Sequence, residues 1–281
     1  MKRLVYCFLF LTVLSNGAFA SVDSISVFSK SMSKNIQCIV ITPSEYLKTD
    51  IRFPVVYLLH GARGNFSNWA TKVPDMQELA DINQVLIVCP DGATNSWYFD
   101  SPIDSSFRYE THIAKELPVY IDANFRTIAD RQHRAITGLS MGGHGALFIA
   151  FRHAAIFGAC GSMSGALDIR MIPRSYGIDK VLGDVKTNTA YYLDWSMSSI
   201  VEKYPADSLA IIMDCGAQDF ISYMTKGLHA KMVKLKIPHD YTERPGRHDW
   251  LYWSRAVRYQ LLFFKEYFRE DVEGVELPSF K

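Results

Sequence analysis

Short apolar runs alternate with longer amphipathic stretches along most of this chain. Eight of the runs are rich in β-branched and other apolar residues, which is typical of strands. They cover residues 24–29, 36–42, 54–60, 85–90, 134–139, 157–163, 209–216 and 240–244. The runs at 54–60 and 85–90 are almost continuously apolar, as expected for strands that are buried on both faces.

Amphipathic stretches that predict helices lie between the later runs, at 75–82, 105–125, 141–153, 220–235 and 250–268. The first two strands follow each other without a helix, so they are predicted to pair as an antiparallel hairpin. From there the order is strand, helix, strand. This order predicts an α/β fold, with an eight-stranded, mostly parallel sheet and helices on both faces.

The segment 165–208 interrupts this alternation. It contains Pro173, Gly177 and Gly183, together with a predicted helix at 191–203. Two interpretations stay open. The segment is either an insertion above the carboxyl edge of the sheet that walls a binding site, or an ordinary long connection with no role in specificity.

The first 20 residues carry the pattern of a secretory signal peptide. Lys2 and Arg3 precede an apolar run at 4–14, and Ala18-Phe19-Ala20 supplies a small-x-small cleavage pattern. A membrane anchor is disfavoured, because the run is too short to span a bilayer. We therefore expect export to the periplasm or the medium, with residues 21–281 forming a single domain and no stable membrane anchor.

The amino-acid composition excludes or disfavours several classes of protein. The 281 residues are 48% hydrophobic and 21% charged, which excludes a disordered chain. Thirty basic residues against 29 acidic ones disfavour a nucleic-acid binder held by bulk charge. The cysteines past residue 20 lie in apolar runs and form no CxxC or Cys/His cluster, so they are expected to be buried thiols. No metal or cofactor is predicted.

The strongest chemical signal is the sequence Gly138-Leu139-Ser140-Met141-Gly142. A predicted strand precedes it and a predicted helix follows it, which is the setting of a nucleophile elbow. The alternative, a glycine-rich helix start with an incidental serine, does not account for this setting. Ser140 is therefore the predicted nucleophile.

A serine nucleophile needs a base and an orienting acid, and in this type of fold they follow it in the order acid, then histidine. Of the histidines after Ser140, only His248 lies in a loop that can return over the elbow. Asp219 follows the strand 209–216 and is the predicted acid. Asp214 is its rival but is interpreted as a structural strand-end residue that accepts from local backbone N–H groups, and Asp249 adjoins His248 without the required geometry.

An oxyanion hole needs two backbone N–H groups. One is expected from Met141, the residue after the nucleophile, and the other from Ala62 in the glycine-containing loop after an early strand. Trp97, Tyr98 and Trp250 are candidate substrate-binding aromatics, whereas Trp253 is interpreted as a core residue.

Several short motifs together resemble the esterase D-like branch of the α/β-hydrolases. They are Leu58-Leu59-His60-Gly61, Asn68-Trp69, Pro90-Asp91-Gly92, Ser96-Trp97-Tyr98, the elbow with Gly143, Ser164-Gly165, Cys215-Gly216 with Asp219, and His248 with Trp250. That branch includes feruloyl and acetylxylan esterases of carbohydrate esterase family 1, tributyrin-type esterases, S-formylglutathione hydrolases and mycolyltransferases. The resemblance implies an eight-stranded α/β-hydrolase sheet, a Ser140–His248–Asp219 triad, and oxyanion donors at Ala62 and Met141.

These observations predict an exported serine carboxylesterase that acts on short acyl or hydroxycinnamoyl esters of carbohydrates, with a small molecule or an oligosaccharide ester as its partner. Two enzymatic alternatives stay open: a general short-chain carboxylesterase and an S-formylglutathione hydrolase-like thioesterase. A catalytically silent binding protein on the same fold is the non-enzymatic alternative. The intact serine, acid and histidine in the correct chain order favour an enzyme.

Overall fold

The computed structural model describes residues 22–204 and 209–273. The predicted signal peptide and the last residues of the 165–208 segment lie outside the described residues.

Eight strands form one sheet, at almost the positions that the apolar runs predict. They are β1 (Val22–Ser29), β2 (Lys34–Ile41), β3 (Val55–Leu59), β4 (Leu86–Pro90), β5 (Arg134–Gly138), β6 (Ala159–Met163), β7 (Ala210–Gly216) and β8 (Asp240–Arg244). Their spatial order is β1-β2-β4-β3-β5-β6-β7-β8. β1 pairs antiparallel with β2, β2 pairs antiparallel with β4, and the remaining neighbours are parallel. The predicted fold class is confirmed.

Helices cover both faces of the sheet. They are α1 (Asn68–Lys72), α2 (Met76–Asn83), α3 (Tyr109–Thr111), α4 (Leu117–Asn124), α5 (Met141–Arg152), α6 (Ile178–Leu182), α7 (Thr189–Asp194), α8 (Met197–Lys203), α9 (Ser222–Lys234) and α10 (Trp250–Glu273). A π-helical turn at His112–Glu116 joins α3 to α4. Short 3₁₀ turns occur at Ser44–Leu47 and Ile169–Met171.

The strand residues divide between two cores, one on each face of the sheet. Along β3, Val55, Tyr57 and Leu59 join the core under α5, whereas Val56 and Leu58 join the core under α10. This alternation follows from the two-residue repeat of a strand. It also explains why β3 is buried along its whole length and reads as an uninterrupted apolar run.

Two predicted helices have different bounds. The helix predicted at 105–125 begins only at Tyr109, because Asp104 accepts hydrogen bonds from the amide and hydroxyl of Ser106 and holds a turn there. The helix predicted at 191–203 is broken into α7 and α8 at Ser196, whose backbone is extended and whose hydroxyl donates to the carbonyl of Tyr192 at 2.8 Å. In the described part of the chain, no helix is long and apolar enough to cross a membrane.

Candidate active site

Ser140 lies at the turn between β5 and α5, in a strained backbone conformation with φ 54° and ψ −113°. Such a conformation is costly for a residue with a Cβ and persists only where the surroundings enforce it. Here the amide of Ser140 donates to the carbonyl of Met163 on β6 at 2.9 Å. The strand–turn–helix setting that the sequence predicts is therefore present.

Glycine is required on the inner side of this turn. A Cβ at Gly142 would lie 2.5 Å from the carbonyl oxygen of His60 and 2.7 Å from that of Leu59. Both contacts are with backbone, which cannot move aside without disturbing β3. The first turn of α5 is thus pressed against the end of β3, and Ser140 is held at the carboxyl edge of the sheet.

Ser140, His248 and Asp219 form a continuous hydrogen-bonded relay. The distance from Ser140 Oγ to His248 Nε2 is 3.0 Å. His248 Nδ1 lies 2.8 Å and 3.1 Å from the two carboxylate oxygens of Asp219. Because a carboxylate only accepts hydrogen bonds, Nδ1 carries the proton and Nε2 is left to accept from the serine hydroxyl. This is the arrangement in which a histidine acts as a general base.

Asp219 is held in a tight turn after β7 and is 4% exposed. Its amide donates to the carbonyl of Gly216 at 3.0 Å, and its Oδ1 accepts from the amide of Ile221 at 3.0 Å. Burial by itself would raise the pKa of this carboxyl, but the hydrogen bond and charge of His248, the hydrogen bond from the Ile221 amide and the hydroxyl of Ser164 together outweigh burial and hold the pKa below its usual range. Asp219 is therefore ionised at neutral pH.

The loop that carries His248 is fastened to the loop that carries Asp219. The backbone N–H of Gln218 donates to the carbonyl of Gly246 at 2.9 Å. The side-chain oxygen of Gln218 accepts from the backbone N–H of Gly246 at 2.8 Å. A Cβ at Gly216 would lie 2.4 Å from the carbonyl oxygen of Gly246. These contacts fix the separation of acid and base. Gln218 was not predicted from the sequence as a site residue. Its position next to Asp219 was the feature that could have indicated it.

Two aromatic rings contact the imidazole of His248 edge to face. The ring of Trp253 lies 4.9 Å from it at 86°, and that of Phe220 lies 4.8 Å from it at 62°. Trp253 is buried, in agreement with its interpretation as a core residue, whereas Phe220 is 58% exposed. The sequence did not point to Phe220, which places an apolar surface beside the base.

Asp214, the rival acid, is fully buried on β7 and does not contact His248. Its carboxylate accepts from the hydroxyl of Tyr252 at 3.1 Å and from the side-chain amide of Gln260 at 3.3 Å, and Arg244 lies 3.4 Å away. Burial raises the pKa of this carboxyl. The structural interpretation is thus supported, but its partners are side chains of α10 and β8 rather than the local backbone N–H groups that were expected.

The other candidate groups have partners elsewhere. Asp249 accepts from the amide of Tyr252 at 2.9 Å at the start of α10. The remaining histidines after Ser140 are held by other groups: His144 by the carbonyl of Trp195, His153 by Glu110, and His229 and His239 by each other.

Ala62 and Met141 both lie close to the serine in the chain or in space. Met141 opens α5 directly after Ser140, and a Cβ on Gly61, beside Ala62, would lie 3.4 Å from the Cβ of Ser140. Among the described residues, neither amide donates a backbone hydrogen bond. Both N–H groups are therefore available to a bound oxygen, and their role stays a prediction.

Buried His60 supports the Ala62 loop. Its Nε2 accepts from the amide of Gly92 at 2.8 Å, so its proton lies on Nδ1, 2.8 Å from the carbonyl of Gly61. Burial lowers the pKa of His60, which keeps the ring neutral.

Trp97 and Tyr98 do not line a cleft, which corrects their prediction as substrate-binding residues. Their exposed fractions are 1% and 0%. The ring of Tyr98 occupies the space that glycine leaves at Gly92 and Gly145, and its hydroxyl donates to the carbonyl of His60 at 3.0 Å. Both residues are part of the core that supports the Ala62 loop.

Trp250 is half-buried at the start of α10, edge-on to Trp69 at 5.1 Å and to Trp253 at 5.4 Å. Its predicted contact with substrate stays a prediction. Cys38, Cys89, Cys160 and Cys215 are buried free thiols, as expected. Cys38 and Cys89 lie on neighbouring strands but belong to opposite cores.

Comparisons with known proteins show the family to which this chain is similar. The Esterase family model matches residues 29–264. An esterase of Mycobacterium tuberculosis (strain ATCC 25618 / H37Rv) is 36% identical over 263 residues, which cover 84% of this chain and 54% of that protein. An acetyl esterase of Caldicellulosiruptor saccharolyticus is 27% identical over 260 residues, which cover 84% of this chain and 95% of that protein.

Among solved structures, a ferulic acid esterase superposes with a TM-score of 0.77 at 30% identity, covering 89% of this chain and 98% of that chain. This chain spans about half the length of the mycobacterial relatives that it matches. The family match extends from the end of β1 through β8 and includes the elbow and both loops of the relay. The chain therefore belongs to the esterase family of α/β-hydrolases.

Proposed function

We propose that this protein is an exported serine carboxylesterase that hydrolyses short acyl or hydroxycinnamoyl esters of carbohydrates through an acyl-enzyme. The observation that carries the proposal is the hydrogen-bonded relay, with 3.0 Å from Ser140 Oγ to His248 Nε2 and 2.8 Å from His248 Nδ1 to Asp219. A nucleophile, a base and an orienting acid are within reach of one another without any rearrangement.

The reaction follows from this geometry in two halves. Ser140 Oγ attacks the ester carbonyl as His248 Nε2 takes its proton, and the negative charge on the carbonyl oxygen is stabilised by the N–H groups of Ala62 and Met141. His248 returns the proton to the departing alcohol. Water, deprotonated by His248, then attacks the acyl-enzyme and releases the acid with Ser140 restored. Asp219 stabilises the imidazolium in both halves.

The names of similar proteins support the substrate class. The ferulic acid esterase shares 30% of its residues with this chain, and the acetyl esterase shares 27%. The acyl groups in these two names are an aromatic acid and acetate, which are the two kinds of acyl group in the proposal. Since Trp97 and Tyr98 are buried, the aromatic platform that they were expected to form does not support a hydroxycinnamoyl group. The exposed ring of Phe220 and half-buried Trp250 are the aromatic surfaces that remain near His248.

A substrate panel tests this proposal. The kcat/KM is measured on p-nitrophenyl acetate and butyrate, methyl ferulate, acetylated xylan and S-formylglutathione, with Ser140→Ala as the control for non-enzymatic hydrolysis. We expect methyl ferulate to be cleaved with a kcat/KM at least comparable to that of acetate esters. Fast cleavage of acetate and butyrate with none of ferulate would favour the general short-chain carboxylesterase. Cleavage of S-formylglutathione alone would favour the thioesterase, and no cleavage at all would favour a binding protein.

Export is proposed from the first 20 residues, where Lys2 and Arg3, an apolar run and Ala18-Phe19-Ala20 follow in order. N-terminal sequencing of the protein recovered from a secreting host tests it. The expected new N-terminus is Ser21, and an intact Met1 on cell-associated protein would contradict export.

A further inference from the structure

A groove of about 240 Å³ opens between α9 and the segment that follows β6. One wall is built from Leu167, Arg170 and Met171, and the other from Tyr223 and Gly227. Pockets that enclose a whole drug-sized ligand begin at roughly 300 Å³. The groove therefore has room for one ring-sized group rather than for an extended chain.

Both walls of the groove are connected along the chain to residues that contact Ser140 or His248. On one side the amide of Ala166 donates to the carbonyl of Ser140 at 3.2 Å, and Leu167, the next residue, lines the groove. On the other side the ring of Phe220 contacts His248, and Tyr223, three residues later in the first turn of α9, lines the groove. Each wall is thus only a few residues along the chain from a group that contacts the nucleophile or the base.

Gly227 keeps this groove open. Tyr223, Gly227 and Lys231 repeat every four residues and share one face of α9, which is the face that lines the groove. Glycine is the least favourable residue in a helix interior after proline. A Cβ at Gly227 would have no heavy atom within 4 Å, so no packing contact excludes a larger residue. Because Gly227 lines the groove, a large side chain at this position would extend into it.

The charges of the groove are balanced. The Nε of Arg170 donates to Asp168 at 2.7 Å, and the Nζ of Lys231 lies 2.7 Å from Glu202. Because each cation already has a carboxylate partner, the groove offers no unpaired positive charge to an anionic ligand. It offers instead donors and acceptors together at its rim, above an apolar floor of buried Met224 and Leu228. A neutral sugar ring, with hydroxyls at its edge and C–H groups on its faces, fits this combination.

We propose that the groove is the subsite for the sugar ring of the alcohol half of the substrate. His248 must protonate the leaving alcohol oxygen, so the alcohol lies on the side of His248, where the α9 wall begins. The exposed ring of Tyr223 packs on a face of the sugar, and Arg170 and Lys231 bind its hydroxyls. This inference rests on the proposed function, since it assigns a part of the ester to a place beside the relay.

The kinetic test varies the alcohol and keeps the acyl group fixed. The kcat/KM is measured for a feruloyl ester of an arabinose-bearing oligosaccharide and for methyl ferulate, and for an acetylated sugar and ethyl acetate. The wild type is expected to prefer the sugar ester of each pair by tenfold or more. In Gly227→Phe, whose ring fills the groove, this preference falls at least tenfold. Val233→Phe, at an exposed position of α9 away from the groove, leaves the preference unchanged.

Two kinetic results would overturn the assignment. One is an unchanged preference for sugar esters in Gly227→Phe. The other is a selectivity change that follows the acyl group, which would place the acid rather than the sugar in the groove. Tyr223→Ala serves as a second variant, because it opens the groove instead of filling it. It is expected to raise the KM for the sugar ester. Both variants are first compared with the wild type by thermal unfolding.

A binding test separates this inference from the proposed activity. The unesterified oligosaccharide is titrated into Ser140→Ala and into Ser140→Ala/Gly227→Phe, with binding followed by saturation-transfer NMR. The sugar signal is expected with the first protein and lost with the second. Binding that is lost in this way would support the groove even if no ester were hydrolysed. Absence of binding to Ser140→Ala would refute the groove even if esters were hydrolysed.

Discussion

Two isosteric substitutions, Asp219→Asn and Asp214→Asn, distinguish the orienting acid from a buried structural carboxylate. Both side chains lie on or just after β7, and both are buried. Only Asp219 contacts His248, through oxygens at 2.8 and 3.1 Å from Nδ1. The structure thus predicts opposite outcomes for residues that are five positions apart.

The magnitude follows from the protonation of His248. An asparagine amide at position 219 presents N–H groups to Nδ1, so the proton moves to Nε2 and the base cannot accept from Ser140. Loss of the correct tautomer in a serine triad costs about 10⁴-fold in kcat, equivalent to roughly 5 to 6 kcal/mol of transition-state stabilisation. Asp214→Asn keeps one acceptor oxygen, enough for Tyr252, and does not alter a contact of His248, so we expect kcat within about tenfold of the wild type.

The same pair has opposite effects on the pH dependence of stability. Because burial raises the pKa of Asp214, its folded state binds a proton more readily than its unfolded state, and the stability of the wild type falls as pH rises through that range. Asp214→Asn removes this titration, so the Tm of the variant should fall less than that of the wild type as pH rises through that range. Asp219 has a lowered pKa, so Asp219→Asn forfeits stability that is present at neutral pH.

The assay is kcat on p-nitrophenyl acetate, with circular dichroism of each variant to correct for unfolded protein and a thermal scan of each variant. A large loss of kcat in a folded Asp214→Asn, together with a small loss in Asp219→Asn, would refute the reasoning. The acid would then have to be Asp214, contrary to the hydrogen bonds of His248.

Three further predictions concern the supports of the site. Gly142→Ala should destabilise the fold by about 1–3 kcal/mol, because the added Cβ meets the carbonyl oxygens of His60 and Leu59; chemical denaturation measures this, and an unchanged midpoint would contradict it. His144 is buried with a pKa lowered to about 4, so stability should fall by up to about 3 kcal/mol as pH drops from about 6.5 to 4. His144→Gln should remove that slope in pH-dependent unfolding, and a retained slope would assign it to other groups. Gln218→Ala should lower kcat about tenfold with little change in KM, since it loosens Gly246 and hence His248; steady-state kinetics test it, and a change confined to KM would count against this positioning role.

The sheet and the relay were accessible from the sequence because each rests on local rules. Buried parallel strands must be apolar along their length, as β3 is. Ser140 is marked by the glycines that its turn demands, and the order of Asp219 and His248 follows from the topology of the sheet. Such constraints act over a few residues or through chain order, so a single sequence carries them.

Features that depend on contacts between distant segments were not accessible. Trp97 and Tyr98 look like surface aromatics in a loop, but glycines at 92 and 145 make room for the ring of Tyr98. The break between α7 and α8 depends on Ser196, which also lies 3.2 Å from the carboxylate of Asp168. Neither the hydrophobic pattern nor the helix propensity of these segments predicts which distant residues Tyr98 and Ser196 contact.

Covalent labelling of Ser140 tests the central claim most directly. The wild type and Ser140→Ala are incubated with a fluorophosphonate, and the intact mass and the labelled peptide are determined by mass spectrometry. A single adduct on the peptide that contains Ser140, its absence in folded Ser140→Ala, and loss of ester hydrolysis in proportion to labelling are the predicted results. An adduct on another residue, or a folded Ser140→Ala that retains most of its esterase activity, would contradict the assignment of Ser140 as the nucleophile.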